Sequence, residues 1–206
     1  MTQPARLAVL ISGGGSNLAA LMEACKDPAY GAEVVLVVAD RDGCGGSTLA
    51  EEQGIPTATL KVRDYDSREA WDQALADTLK SAQPDLVVSA GFLKMFGPAV
   101  LRSFPGTIIN THNSLLPAFP GIHGPADALN HGVKIAGATL FVVDEGMDTG
   151  QILAQCTVPV LDDDTEETLL ERIKVAERAQ LVETVGIMVR HGWRVEGRRA
   201  FLNRAQ

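Results

Sequence analysis

The sequence predicts an α/β fold: a doubly wound, mostly parallel sheet that ends in an antiparallel hairpin and a long C-terminal helix. Three observations carry this expectation. Short, continuously apolar runs at 7–12, 34–39, 86–89 and 107–109 alternate with segments of helical periodicity, as strands covered on both faces by helices require. Two later extended runs, 135–143 and 152–160, are joined only by 144–150, too short a connection for a parallel crossover. Beyond them Leu169, Leu170, Ile173, Leu181, Val185 and Met188 recur on one helical face, which predicts an amphipathic helix.

With 206 residues, 46% hydrophobic and 21% charged, the chain has the makeup of one soluble α/β domain over 1–206. No second domain, repeat, low-complexity segment or linker is expected. The formal charge of −8, with no Lys/Arg-rich run, argues against nucleic acid as a partner. Anionic substrates would therefore need local cations. Cys25, Cys44 and Cys156 are scattered and outside any metal spacing, which predicts reduced thiols in a cytoplasmic protein, with Cys44 exposed in its glycine-rich loop. No apolar stretch approaches the about 18 residues of a membrane span, and no signal peptide is indicated.

The first strand, 7–12, runs into Gly13-Gly14-Gly15-Ser16-Asn17-Leu18 and a helix over 18–26 with Leu18, Leu21, Met22 and Cys25 on one face. Strand, glycine loop and helix is the order that binds phosphate at a helix N-terminus. The third glycine of a dinucleotide fingerprint and the Gly-Lys-Ser/Thr of a P-loop are both missing, which disfavours a nicotinamide cofactor. Two readings stand: a loop whose N–H groups, with Ser16 and Asn17, hold one phosphate, or a tight turn that binds nothing. A second strand at 34–39 leads to Asp40, read as a turn residue, then a short helix at 47–53 and a third strand at 57–61. Asp66 as N-cap with Glu69 predicts a helix to about residue 82. Arg68 in its first turn opposes the helix dipole, so it is either a ligand residue or a solvated surface arginine.

A fourth strand, 86–89, precedes Leu93-Lys94-Met95-Phe96, which suits a flat heteroaromatic ring or plain core. After a short helix at 98–104 the strand ending at Asn110 and His112 opens into a Pro/Gly-rich loop. In a parallel sheet the carboxyl ends of strands form the ligand edge. Residues i and i+2 of an extended segment project to one side, so an amide and an imidazole sit together there. They could serve a developing oxyanion and a travelling proton, or form a strand cap beside a hydrogen-bonded core histidine. A helical turn at 125–131 follows, then the two hairpin strands. Asp162 to Asp164 read as the solvated cap of the last helix, with Asp164 as N-cap and Glu167 three later, in preference to a Ca²⁺ or Mg²⁺ site. The alternation of elements makes the whole Rossmann-like.

The string Asn110-x-His112-x-Ser114-Leu115-Leu116-Pro117-x-x-x-Gly121, followed by Met147-Asp148-Thr149-Gly150, resembles the formyltransferase family that uses 10-formyltetrahydrofolate, and within it the branch acting on glycinamide ribonucleotide. Residues 11–18, 89–92 and 172–177 agree in order, so the likeness covers nearly the whole chain. It implies Asn110, His112 and Asp148 as catalytic, with Asp148 holding His112 and organising a water. It implies Gly15, Ser16, Asn17, Arg68, Lys174 and Glu177 around the nucleotide. Leu93, Lys94, Met95, Phe96 and Leu101, with the loop Asp144, Glu145, Gly146, Met147 and Asp148, match the folate pocket, and His123 has a supporting place. The N-terminal part would hold the nucleotide phosphate, the C-terminal part folate and the chemistry. No metal is implied, the Leu116–Pro117 bond is expected cis, and a homodimer is left open. Two positions depart from the family: Asn113 stands where proline is usual, and Lys94 where arginine is frequent.

The same three side chains could direct the formyl group to water, as in formyltetrahydrofolate hydrolases, but those carry an extra N-terminal domain while the first strand here begins near Leu7. Methionyl-tRNA formyltransferases need a further C-terminal RNA-binding domain and a basic surface. A non-catalytic binding module is disfavoured by the joint presence of Asn110, His112 and Asp148.

Overall fold

A computed structural model describes residues 3–203. Its strands lie in a seven-stranded sheet of order β3-β2-β1-β4-β5-β6-β7, where β1 is Ala5–Ile11, β2 Ala32–Ala39, β3 Thr57–Thr59, β4 Leu86–Ser89, β5 Ile108–His112, β6 Ile135–Val142 and β7 Ile152–Pro159. The pairs β1–β2, β1–β4, β2–β3 and β4–β5 are parallel, and β6–β7 is antiparallel. The mostly parallel sheet, the hairpin and the long last helix are as expected. Backbone contacts group the chain into two compact units, 1–110 and 111–206.

In the first unit the strands alternate with helices α1 (Ser16–Ala24), α2 (Gly45–Glu52), α3 (Arg68–Ser81) and α4 (Pro98–Ser103). The continuous apolar runs are what both-face burial demands: Leu7, Leu10, Ile11, Leu86, Ile108 and Ile109 are all at most 1% exposed. Each such side chain stabilises the fold by about 1.5–3 kcal/mol. From the helices Leu18, Leu21, Trp71, Leu75 and Leu79 complete this core. The strand order reverses direction from β1: the chain passes outward to β2 and β3, then returns to place β4 on the other side of β1. That reversal is the topological switch point of a doubly wound sheet.

In the second unit, α6 (Glu166–His191) packs on the β6–β7 hairpin through Leu169 and Ile173 against Ala136, Ala138 and Val158, with Ala128 of α5 (Gly124–Asn130) in the same cluster. Small alanines on the hairpin let the helix approach closely.

Local expectations shift in four places. The N-cap of α3 is Ser67, not Asp66: its extended backbone lets Oγ accept from Ala70 N at 3.1 Å. Thr165 rather than Asp164 caps α6, in a capping box with Thr168. Asp164 is instead held by Arg172, at 2.7 and 2.8 Å. Cys44 is buried, its Sγ donating to Arg41 O, and not exposed. A final hairpin, β8 (Trp193–Glu196) with β9 (Arg199–Leu202), follows α6 where no element was expected.

Candidate active site

At the switch point of the first unit, β1 ends in the glycine loop and α1 begins at Ser16. Gly15 takes φ 75°, the left-handed region, and a Cβ there would lie 2.6 Å from Gly46 Cα. Only glycine fits both the backbone and the approach. A Cβ on Gly13 or Gly14 would meet open space. No side chain caps the first turn of α1, so the loop presents a helix N-terminus of the kind that receives anions. Asn17 is buried and Ser16 exposed.

The segment after β4 faces the same sheet edge. Leu93 N donates to Ser12 Oγ at 2.8 Å, and Lys94 Nζ lies 3.3 Å from Asp40 Oδ2. Asp40 is no mere turn residue: its side chain is 1% exposed and it receives Arg41 Nε and Nη2 at 2.9 and 3.0 Å. Burial by itself would raise the Asp40 carboxyl; hydrogen bonds from Arg41, Ser12 and Lys94 together outweigh it and hold the group below the usual range. Leu93 and Met95 are exposed, and Leu101 on α4 is half-buried. Phe96 stacks on Phe92, which stacks on Trp71. Arg68 lies over the Trp71 ring at 4.1 Å and donates to Met95 O. It is thus tied to the segment matched to folate rather than left as a solvated arginine.

The last strand of this edge, β5, carries Asn110, half-buried, and then His112, buried two residues on. In the second unit His112 is fixed from both ring nitrogens. Nε2 lies 2.9 Å from Phe119 O. A carbonyl only accepts, so Nε2 carries a hydrogen in this arrangement. Nδ1 faces Asp148 Oδ2 at 3.7 Å, with both side chains nearly buried. That separation exceeds a direct hydrogen bond, so both atoms keep bonding capacity for a third polar partner that lies beside the pair. Asp148 is aimed by its own backbone, at φ 55°, and by Gly121 N, which donates to Oδ2 at 2.7 Å.

Residues that sequence reasoning passed over hold this geometry. Ser114 Oγ is within bonding distance of both Ala118 O and Phe119 O, at 2.7 and 3.0 Å, and so fixes the carbonyl that receives His112. Thr139 Oγ1, fully buried on β6, donates to Ser114 O and accepts from Leu116 N and Gln155 Nε2. The Leu116–Pro117 bond is cis, as expected. In the Asp148 loop Asp144 accepts from Gly146 N and Thr149 Oγ1, while Glu145 and Met147 are exposed. The unexpected β8–β9 hairpin braces this loop through Arg198, donating to Thr149 O, and Gly197 O, accepting from Gln151. Lys174 on α6 pairs with Glu171 at 2.6 Å, Glu177 is buried, and His123 is exposed before α5.

The formyl transferase family matches residues 5–185. Phosphoribosylglycinamide formyltransferase of Mycobacterium tuberculosis is 52% identical over 201 residues, 98% of this chain and 93% of that protein. The crystal structure of glycinamide ribonucleotide transformylase 1 from Symbiobacterium toebii superposes with a TM-score of 0.95 at 38% identity, covering 99% of this chain and 96% of that one. A formyltetrahydrofolate deformylase from Pseudomonas syringae shares the fold, with a TM-score of 0.91 at 24% identity over 98% of this chain and 67% of that one.

Proposed function

The chain belongs to the formyl transferase family, and we propose that it transfers the formyl group of 10-formyltetrahydrofolate to the amine of 5′-phosphoribosylglycinamide, a step of de novo purine (IMP) synthesis. The carrying observation is the buried His112–Asp148 pair at the end of β5, two residues past Asn110. The amine nitrogen attacks the formyl carbon, and the carbonyl π electrons move onto oxygen. The Asn110 amide donates to that oxyanion, and His112 joins it through Nδ1, the nitrogen not bound to Phe119 O, when the ring carries both protons. As the C=O re-forms, the bond to folate N10 breaks, N10 gains a proton and the former amine loses one. A water to the side of Asp148 and Nδ1, within reach of both because they are not directly hydrogen-bonded, carries this exchange. Oriented donors of this kind are worth on the order of a hundred- to a thousandfold each in rate.

The nucleotide phosphate is held by Gly15, Ser16 and Asn17 at the start of α1, supported by the uncapped helix end, with Lys174 and Glu177 serving the same substrate. Leu93 to Phe96, Leu101 and the loop from Asp144 to Asp148 receive the folate. Arg68 serves with the nucleotide residues and steadies the folate segment by donating to Met95 O. The whole of 1–206 acts as one formyltransferase domain in a reducing cytoplasm. Among the described residues no helix is long and apolar enough to cross a membrane. Sedimentation at assay concentration reads whether the working form is a homodimer. The deciding experiment follows folate deformylation spectroscopically with and without glycinamide ribonucleotide. Turnover only with the nucleotide is expected; equal turnover in its absence would make the protein a hydrolase.

A further inference from the structure

Ser12 is the first residue past β1 and directly precedes the glycine loop, and none of the chemistry above uses it. It is buried, after a strand whose last five residues, Leu7 to Ile11, are all apolar and fully buried. Strand burial asks for another apolar side chain at such a position, so a hydroxyl there needs its own reason. The pairing of β1 with β4 does not supply one, because its register is already complete from Leu7–Leu86 to Leu10–Ser89.

The polar groups of Ser12 are spent on the segment after β4. Ser12 N donates to Gly91 O at 3.1 Å, and Ser12 Oγ accepts from Leu93 N at 2.8 Å. A hydroxyl has one hydrogen to give, and this one goes to the buried carboxylate of Asp40, just past β2. Asp40 Oδ2 in turn lies 3.3 Å from Lys94 Nζ, on the residue after Leu93. Ser12, Leu93, Lys94 and Asp40 therefore close a ring of polar contacts, all within the first unit. Because Asp40 takes the hydroxyl hydrogen, a lone pair of Oγ is left facing Leu93 N–H. One end of the ring leads within three residues to Gly15, and the other opens the segment from Leu93 to Phe96.

We propose that Ser12, aimed by Asp40, is a positioning residue that couples the two candidate substrate sites, so that nucleotide on the glycine loop strengthens folate binding at 93–96 and the reverse. The inference rests on the assignment of those two sites under the proposed function. A phosphate at residues 15–17 restrains the chain that leads back to Ser12. A folate at 93–96 restrains the chain that Ser12 holds. Each ligand does part of the ordering that the other requires, which gives positive coupling without a large movement. Such coupling is reciprocal by linkage.

The test is calorimetry with glycinamide ribonucleotide and with formyl-free tetrahydrofolate, each alone and with the other saturating, on the wild type, Ser12→Ala and Ser12→Thr. In the wild type each ligand should tighten the other by about fivefold, the low end of ordinary coupling. In Ser12→Ala that factor should fall to about one, and Ser12→Thr, which keeps the hydroxyl, should recover it. A residue that served the fold alone would weaken both ligands and leave the factor as it was. Hydrogen exchange on the wild type reads the same link without any variant: glycinamide ribonucleotide alone should slow exchange of the Leu93 N–H. Failure of both ligands to bind would overturn the functional reading and this inference with it. Binding of both with a factor of one in the wild type, a factor that persists in folded Ser12→Ala, or an unaltered Leu93 exchange rate would overturn the coupling and leave the functional reading standing.

Discussion

The two units build their candidate sites by different means. In residues 1–110 the binding edge is mostly backbone: a glycine loop, a helix N-terminus and strand ends, each placed by residues adjacent in sequence. In residues 111–206 the site is mostly side chain against distant backbone: Asp148 reaches Gly121 and His112, and Ser114 and Thr139 fix the loop between them. Backbone sites tolerate side-chain change until a Cβ intrudes, whereas a side-chain network loses function with one atom.

The largest expected effect tests the second half of that contrast. His112→Ala and Asp148→Asn should each lower kcat by at least about a hundredfold with the fold retained, and the double variant should be little worse than either. Steady-state kinetics on the three variants decides; multiplicative losses would mean that the two residues act separately. In the glycine loop, Gly15→Ala should lower stability by roughly 1–3 kcal/mol, because the new Cβ meets Gly46 in left-handed backbone. Gly14→Ala should leave stability within about 0.5 kcal/mol, since its Cβ meets open space, while raising the nucleotide KM. Denaturant melts beside KM values separate the two, and an unchanged KM for Gly14→Ala would remove the phosphate from this loop.

Ser114→Ala leaves the Phe119 carbonyl less firmly held and should cost about tenfold in kcat/KM, roughly 1.4 kcal/mol, with a displaced pH profile of kcat. A uniform loss of folded protein with an unaltered profile would reduce it to a structural hydroxyl. Asp164 offers a pH test away from either site. The Arg172 guanidinium, and then the Leu161 N–H, hold its carboxyl well below the usual carboxylate range. A depressed folded-state value stabilises the protein above the unfolded value, near 4, and the contribution fades as pH falls below it. Wild type should therefore exceed Asp164→Asn in stability at neutral pH, with the gap closing in acid; a constant gap would assign it to packing. Smallest of all, Asn113→Pro should change kcat/KM by less than about tenfold, because the entropic term of such a swap is only about 0.4–1 kcal/mol. A loss of several hundredfold would give the Asn113 amide a specific role.

The periodicities of 7–12, 34–39 and 86–89 settled their strands because continuous apolar runs have one stable fate in a parallel sheet. The hairpin followed from the short 144–150 connection. Asn110 and His112 were legible together because a strand's two-residue repeat keeps them on one side. The caps of α3 and α6 were each misplaced by one residue, since Asp, Ser and Thr neighbours all cap well and only the entry angle of the chain selects among them. The β8–β9 hairpin is not legible in the sequence because each strand has only four residues and the apolar run Ala200-Phe201-Leu202 is too short to mark a strand.

By itself, then, the sequence determined the order of strands and helices, the glycine loop and the chemical identities at the end of β5, all of which depend on neighbours within a few positions. Only the tertiary structure decided that Asp40 is a buried anchor for two cations, that Arg68 joins Met95, and that Phe119 and Asp148 hold the two nitrogens of His112. Those relations join residues far apart along the chain, and no local pattern encodes a distance that only folding closes.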